Sequence, residues 1–175
     1  MTISPLDPFA TPDHLRSPVR RLRGRLPAAV TLWTAPGAAT SGPAARAGLT
    51  VSSAMIVDGD PGRLLGLLDG ESDLWAAVEA AGRFAVTVLT PDDRQLADRF
   101  AGLMPAPGGL FSGDGWVDTE YGPVPKRRTT WAGCRLDGAR PMGWGLLVEA
   151  TIDRIELAEA QPPLVHHRGR YRELA

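Results

Sequence analysis

Cysteine is almost absent. Cys134 is the only one in the chain, which excludes an internal disulfide framework, a cysteine-rich zinc site and a C-x-x-C redox motif. Histidine is scarce as well. Besides His14 there are only His166 and His167, and neighbours on a strand face opposite sides and do not readily share one metal ion. Neither sign of charge dominates: the formal net charge is −1, which argues against bulk attraction to nucleic acid or to an anionic membrane. No apolar run approaches the ~18 residues needed to span a bilayer. The opening MTISPLDPFATPDHLRS lacks the basic start and apolar core of a signal peptide, so a cytoplasmic location is expected. There is no P-loop, no G-x-G-x-x-G following a strand and no G-x-S-x-G elbow. At 175 residues the chain is too short for an ordinary (β/α)₈ barrel of roughly 250 residues.

Glycine (20) and proline (16) are abundant, and aliphatic runs sit between their clusters, the pattern of short elements joined by many turns. Residues 1–16, with Pro5, Pro8 and Pro12, read as an extended N-terminal arm, and 17–175 as a single domain. Ser17 followed by Pro18 predicts a helix start, with Val19, Leu22 and Leu26 on one apolar face. Arg16, Arg20, Arg21, Arg23 and Arg25 crowd its other faces, either as a solvated surface or with one of them meeting a ligand phosphate.

Strands are expected at 28–34, 49–56, 63–68, 83–90, 128–136, 145–155 and 164–174. Residues 36–47 read as a loop, and 103–127 as one long Gly/Pro-rich excursion. The 28–34 strand should be buried on both faces. The alternation of Leu146, Val148, Ala150 and Ile152 with Glu149, Thr151 and Asp153 marks a strand with one face in the core. Two further helices are expected, one capped by Ser72 and closed by Gly82, the other begun by Thr90-Pro91 and holding Leu96 and Phe100 on one side. The count is seven strands and three short helices without regular β-α alternation. The fold class is therefore mainly β, and a small antiparallel barrel fits better than a doubly wound sheet.

The residues by themselves offer little acid–base or nucleophilic chemistry. Cys134 lies mid-strand, where a buried inert thiol is the usual case. The hydroxyls of Thr50, Ser52 and Ser53 cluster on a strand before a turn, and Ser72 at a helix start offers N–H groups suited to an anion.

The order of these segments is more specific than any one of them. Gly48–Ser53, Asp60-Pro61, Arg63–Leu68, Ser72, Gly82–Leu89 and Phe100–Gly102 follow one another with Phe111, Trp116, Gly122-Pro123-Val124, Cys134 and a terminal PLVHHRGRYREL. Over roughly 17–174 this series resembles the flavin reductase-like family, which has the FMN-binding split-barrel fold with about three short helices. The resemblance implies a homodimer that binds FMN, or FAD in some members. It further implies a hydride taken from NAD(P)H and reduced flavin passed to a partner monooxygenase. Carried over by position, Thr50, Val51, Ser52 and Ser53 would line the isoalloxazine, Asp69 and Ser72 would handle the ribityl-phosphate, and Phe100 would stand near the flavin.

Three departures stand out. The family's G-D-H motif is missing, its place taken by Arg140-Pro141-Met142-Gly143-Trp144; Thr87 replaces the asparagine of F-x-V-N; and Leu74 stands where threonine is common. Loss of the histidine that commonly borders the nicotinamide leaves Trp144 to stack on a ring or cover the pocket. It also opens the alternatives of a non-catalytic flavin-binding or interaction subunit, or a split barrel holding haem or a deazaflavin. No acid–base pair is required by the flavin reading, because hydride transfer between stacked rings asks the protein for orientation and enclosure.

Overall fold

The computed structural model describes residues 17–37, 46–127 and 129–174. The arm expected at 1–16 and most of the loop expected at 36–47 lie outside them. Three helices are present: α1 (Pro18–Arg25), α2 (Asp73–Ala81) and α3 (Arg94–Phe100), the last preceded by a 3₁₀ turn at Pro91–Asp93. Among the described residues there are twelve strands where seven were expected: β1 (Ala28–Ala29), β2 (Thr31–Pro36), β3 (Arg46–Val51), β4 (Ala54–Val57), β5 (Arg63–Leu68), β6 (Arg83–Val88), β7 (Trp116–Thr119), β8 (Gly122–Pro125), β9 (Trp131–Met142), β10 (Gly145–Glu156), β11 (Val165–His167) and β12 (Arg170–Arg172).

Seven of them form one antiparallel sheet in the order β3-β2-β6-β9-β10-β5-β4. Its two edge strands are consecutive pieces of a single path, broken only at Ser52-Ser53. β3 pairs with β2 at one edge, and β4 pairs with β5 at the other. The interrupted strand thus closes the sheet on itself, and the Leu67 N–H donates to the Ser53 carbonyl (2.9 Å) at the joint. This is the small antiparallel barrel that the segment order predicts. Register shifts at Glu149/Ala150 and Ile152/Arg154 bend the long β9–β10 hairpin around it.

The expected strand at 28–34 is buried on both faces from Val30 to Thr34, because alternate residues of β2 feed two cores, while Ala29 is exposed. Trp33 and Ala35 point into the barrel, where Trp33 stacks on Phe84 (4.8 Å between centroids, 16° between planes) beside Leu64, Val148 and Ala150. Leu32, with Val30, joins an outer cluster that holds Leu89, Ala97, Phe100 and Phe111. Helix α2 lays Leu74, Ala77 and Val78 against the first core. Ser72 caps it, and Gly82 closes it in the left-handed conformation (φ 66°), which glycine adopts without a Cβ clash.

The strand boundaries needed correction in five places. The 28–34 segment divides at Val30, with β1 pairing to β11 outside the barrel. The 49–56 strand is interrupted at Ser52-Ser53. The 103–127 excursion contains the β7–β8 hairpin. The 128–136 strand runs on to Met142, so Arg140-Pro141-Met142 is strand and not loop. The 164–174 segment folds back as β11 and β12. Short strands joined by two-residue turns have no periodicity of their own, so one continuous run and a hairpin look alike in sequence. Helix α1 is the remaining surprise: its apolar face of Val19, Leu22 and Leu26 is exposed, and the helix buries nothing.

Candidate functional site

The interrupted strand supplies the most unusual chemistry in the barrel. Thr50, one residue before the end of β3, has its hydroxyl engaged: Oγ1 donates to the Ala97 carbonyl of α3 (2.7 Å). The side chain of Val51 is buried in the barrel core, and its carbonyl accepts from Thr31 Oγ1 (2.7 Å). Ser52 and Ser53 then leave the ladder. Both are half-buried, and among the described residues neither hydroxyl nor either N–H has a protein acceptor. Four donors at a half-buried strand break suit the acceptor-rich edge of a planar heterocycle. The donor set of the 52–53 joint therefore fits a flavin.

Asp69 and Ser72 follow directly after β5, whose Leu67 is bonded to Ser53. Both are held in a local turn. Asp69 Oδ1 accepts from the Glu71 N–H (3.0 Å), Ser72 Oγ donates to the Asp69 carbonyl (2.7 Å), and Ser72 Oγ accepts from the Trp75 N–H (3.2 Å). The turn carries the carboxylates of Asp69, Glu71 and Asp73. The Glu71 and Ser72 N–H groups are spent on Asp69 (3.0 and 3.1 Å), so the α2 N-terminus is its means of meeting an anion.

Phe100 is 2% exposed. Its ring meets Phe111 and Trp116 edge-on, with centroids 5.0 and 5.6 Å away. A Cβ at Gly48 would come within 2.6 Å of the Phe100 ring, so only glycine allows β3 to lie against it. The structure joins Ser53 to Leu67, two residues before Asp69, at one seam of the barrel, while the Thr50 hydroxyl is turned to α3 and the side chains of Val51 and Phe100 pack into two separate cores.

The hairpin tip joins this seam. Gly145 lies so close to the Leu68 carbonyl that a Cβ would approach it to 2.8 Å, and Leu146 pairs with Leu68. Gly143 (φ 60°) and Trp144 make the turn, and the Trp144 ring is fully exposed beside the segment that leads into Asp69. Cys134, by contrast, is fully buried, and burial pushes its thiol up to about 12, with a smaller contribution from the charge of Asp153. It is inert. His166 is held below the usual imidazole range by burial first and by the nearby Arg23 and His167.

Sequence reasoning missed two features here. Leu67 is part of the seam through its main chain alone, which leaves no mark in sequence. A cationic group on α3 and after β8 (Arg99, Lys126, Arg127) went unnoticed although Lys126-Arg127-Arg128 is the one basic run in the long Gly/Pro-rich segment.

Known proteins resemble this arrangement. A family model described as flavin reductase like domain matches residues 23–175. The NADH-dependent FMN reductase AsuE2 of Streptomyces nodosus subsp. asukaensis is 35% identical over 162 residues, spanning 91% of this chain and 85% of the relative. The reductase component of the FADH(2)-dependent resorcinol hydroxylase of a Rhizobium species is 27% identical over 162 residues, spanning 91% and 88%. Among solved structures, the NADH:FAD oxidoreductase SgcE6 of Streptomyces globisporus C-1027 superposes with a TM-score of 0.79 at 22% identity, over 95% of this chain and 96% of that one.

Proposed function

Since this chain belongs to the flavin reductase-like family, we propose that it passes a hydride from NADH to FMN and releases the reduced flavin to a partner monooxygenase. The observation that carries this reading is the strand break at Ser52-Ser53, where half-buried donors have no protein acceptor among the described residues. The relatives point the same way: AsuE2 is named as an NADH-dependent FMN reductase, and the Rhizobium protein as the reductase component of a hydroxylase.

A bound flavin supplies the ring that accepts two electrons and a proton as hydride. The chain's own groups bind and orient. Ser52 and Ser53 donate from hydroxyl and N–H groups to the polar edge of the ring. The N–H groups at the α2 N-terminus, beyond the Ser72 cap, receive the phosphate end. Trp144 offers a face on which a second planar ring can stack, in the role the missing histidine would otherwise share. FAD fits the same polar edge, because its isoalloxazine is identical to that of FMN.

The protein acts as a homodimer in this reading. β4 presents Ala54, Met55, Ile56 and Val57 exposed along its whole length. Met55 shares an outer face with Leu65, Leu67 and Leu147 of the adjoining strands. An apolar outer face at a strand of this kind marks an interaction surface, and it adjoins the Ser53 joint, so a second subunit placed there borders the flavin.

Purified protein mixed with NADH and FMN in air is the direct test. The absorbance of the nicotinamide band should fall, and only when flavin is added. No oxidation of NADH with either FMN or FAD would overturn the proposal.

A further inference from the structure

A cleft of about 280 Å³ opens beside α3, outside the seam that holds Ser52 and Ser53. Leu96 and Arg99 of α3 form one wall, Ser112 and Trp116 a second, and Lys126 and Arg127 the third. The lining holds three cations and no carboxylate side chain. Arg127 is paired with Asp93, a buried carboxylate that also accepts from the N–H and hydroxyl of Thr90 (2.8 and 2.9 Å). Arg99 and Lys126 have no carboxylate partner among the described residues. Cations gathered on one cleft repel one another, and an anion placed between them relieves that repulsion.

Trp116 gives the cleft its second character. Its ring is braced edge-on by Phe100 (5.6 Å) and Phe111 (4.9 Å), so it is a fixed platform and not a mobile side chain. The volume decides between ligand sizes: pockets for drug-sized molecules begin at roughly 300 Å³, so this one accommodates a single aromatic system with an acidic substituent but not a whole dinucleotide.

We propose that this cleft is a binding site for a small aromatic anion, with the ring against Leu96 and Trp116 and the phosphate or carboxylate between Arg99 and Lys126. A nucleoside monophosphate and an aromatic carboxylic acid share that chemistry. The site stands on its own walls and does not depend on flavin turnover.

Isothermal titration of the full chain with AMP and with 4-hydroxybenzoate tests it, using adenosine and phenol as their uncharged counterparts. At least one anion should bind about tenfold or more tightly than its counterpart. Arg99→Gln combined with Lys126→Gln, and Lys126→Gln alone, should weaken that binding while the circular dichroism spectrum stays unchanged. Binding of AMP only assigns a nucleotide site, and binding of 4-hydroxybenzoate only assigns an aromatic-acid site. Failure of both anions to bind at millimolar concentration, binding no tighter than that of the neutral counterparts, or full binding by the doubly substituted chain would overturn the proposal.

Discussion

Thr50 donates its hydroxyl to the Ala97 carbonyl across 2.7 Å, and so pins strand β3 to helix α3. A hydroxyl spent in this way is not offered to a ligand. The Thr50→Val chain should lose about 1 kcal/mol of stability in urea, while its affinity for FMN changes by less than about threefold, an effect smaller than one ordinary hydrogen bond. A large loss of FMN affinity with unchanged stability would show that Thr50 meets the ligand directly.

Ser52 and Ser53 should behave in the opposite way. Their hydroxyls have no protein partner among the described residues, so the double variant S52A/S53A should fold with undiminished stability. Removing two hydrogen bonds to the ring at about 1 kcal/mol each weakens FMN binding by roughly 10- to 50-fold. Fluorescence titration of FMN reads this directly.

Trp144 is exposed at the tip of the β9–β10 hairpin and supports no core. The Trp144→Ala chain should therefore melt at the parent temperature. If the indole stacks on the nicotinamide, KM for NADH rises by roughly 2- to 10-fold, the worth of one aromatic pair, with little change in KM for FMN. Unchanged KM for both would remove Trp144 from the site.

Met55 and Leu67 lie on the outer face of β4 and β5. A carboxylate there cannot be buried without a partner, so M55E/L67E should shift the protein from dimer to monomer in light scattering and lower FMN affinity with it. A variant that remains dimeric would place the subunit contact elsewhere.

Alkaline pH should destabilise the chain. The Cys134 thiol is raised from 9.0 to about 12 in the folded state, mainly by burial, and Tyr121 and Tyr171 move in the same direction. An unfolded chain releases these protons first, so stability is complete below about pH 9 and declines as pH rises towards 12. Urea midpoints measured on either side of pH 9 should show the decline, and it should be shallower in Cys134→Ala.

Much of this molecule is legible in its sequence. β2, β5, β6 and β10 follow from uninterrupted or alternating apolar runs, and α2 from Ser72 and Gly82 acting as caps. The barrel itself followed from segment order. The joint at Ser52-Ser53 was not legible, because the residues flanking it on both sides are strand formers and the break is imposed by closure with β5, not by local propensity. The exposure of Val19, Leu22 and Leu26 was hidden for the converse reason: an amphipathic pattern states that a face is apolar, not that this chain covers it. Among the candidate site residues, Val51 and Phe100 carried the same apolar signature whether they line a ligand or fill a core. Their burial in the two cores, Val51 in the barrel and Phe100 in the outer cluster, distinguishes the two roles.

The broken strand has a consequence for how the barrel holds together. A ring of strands fails at its weakest joint, and here the joint at Ser53 depends on a main-chain bond from Leu67 and on the pairing of a four-residue edge. A molecule that takes up the idle donors of Ser52 and Ser53 latches both halves of that strand to itself. It then binds the closed ring and not the opened one, and so adds RT ln(1 + [L]/Kd) to the free energy of the closed state. Opening of this barrel therefore requires its ligand to leave, and a bound ligand opposes it.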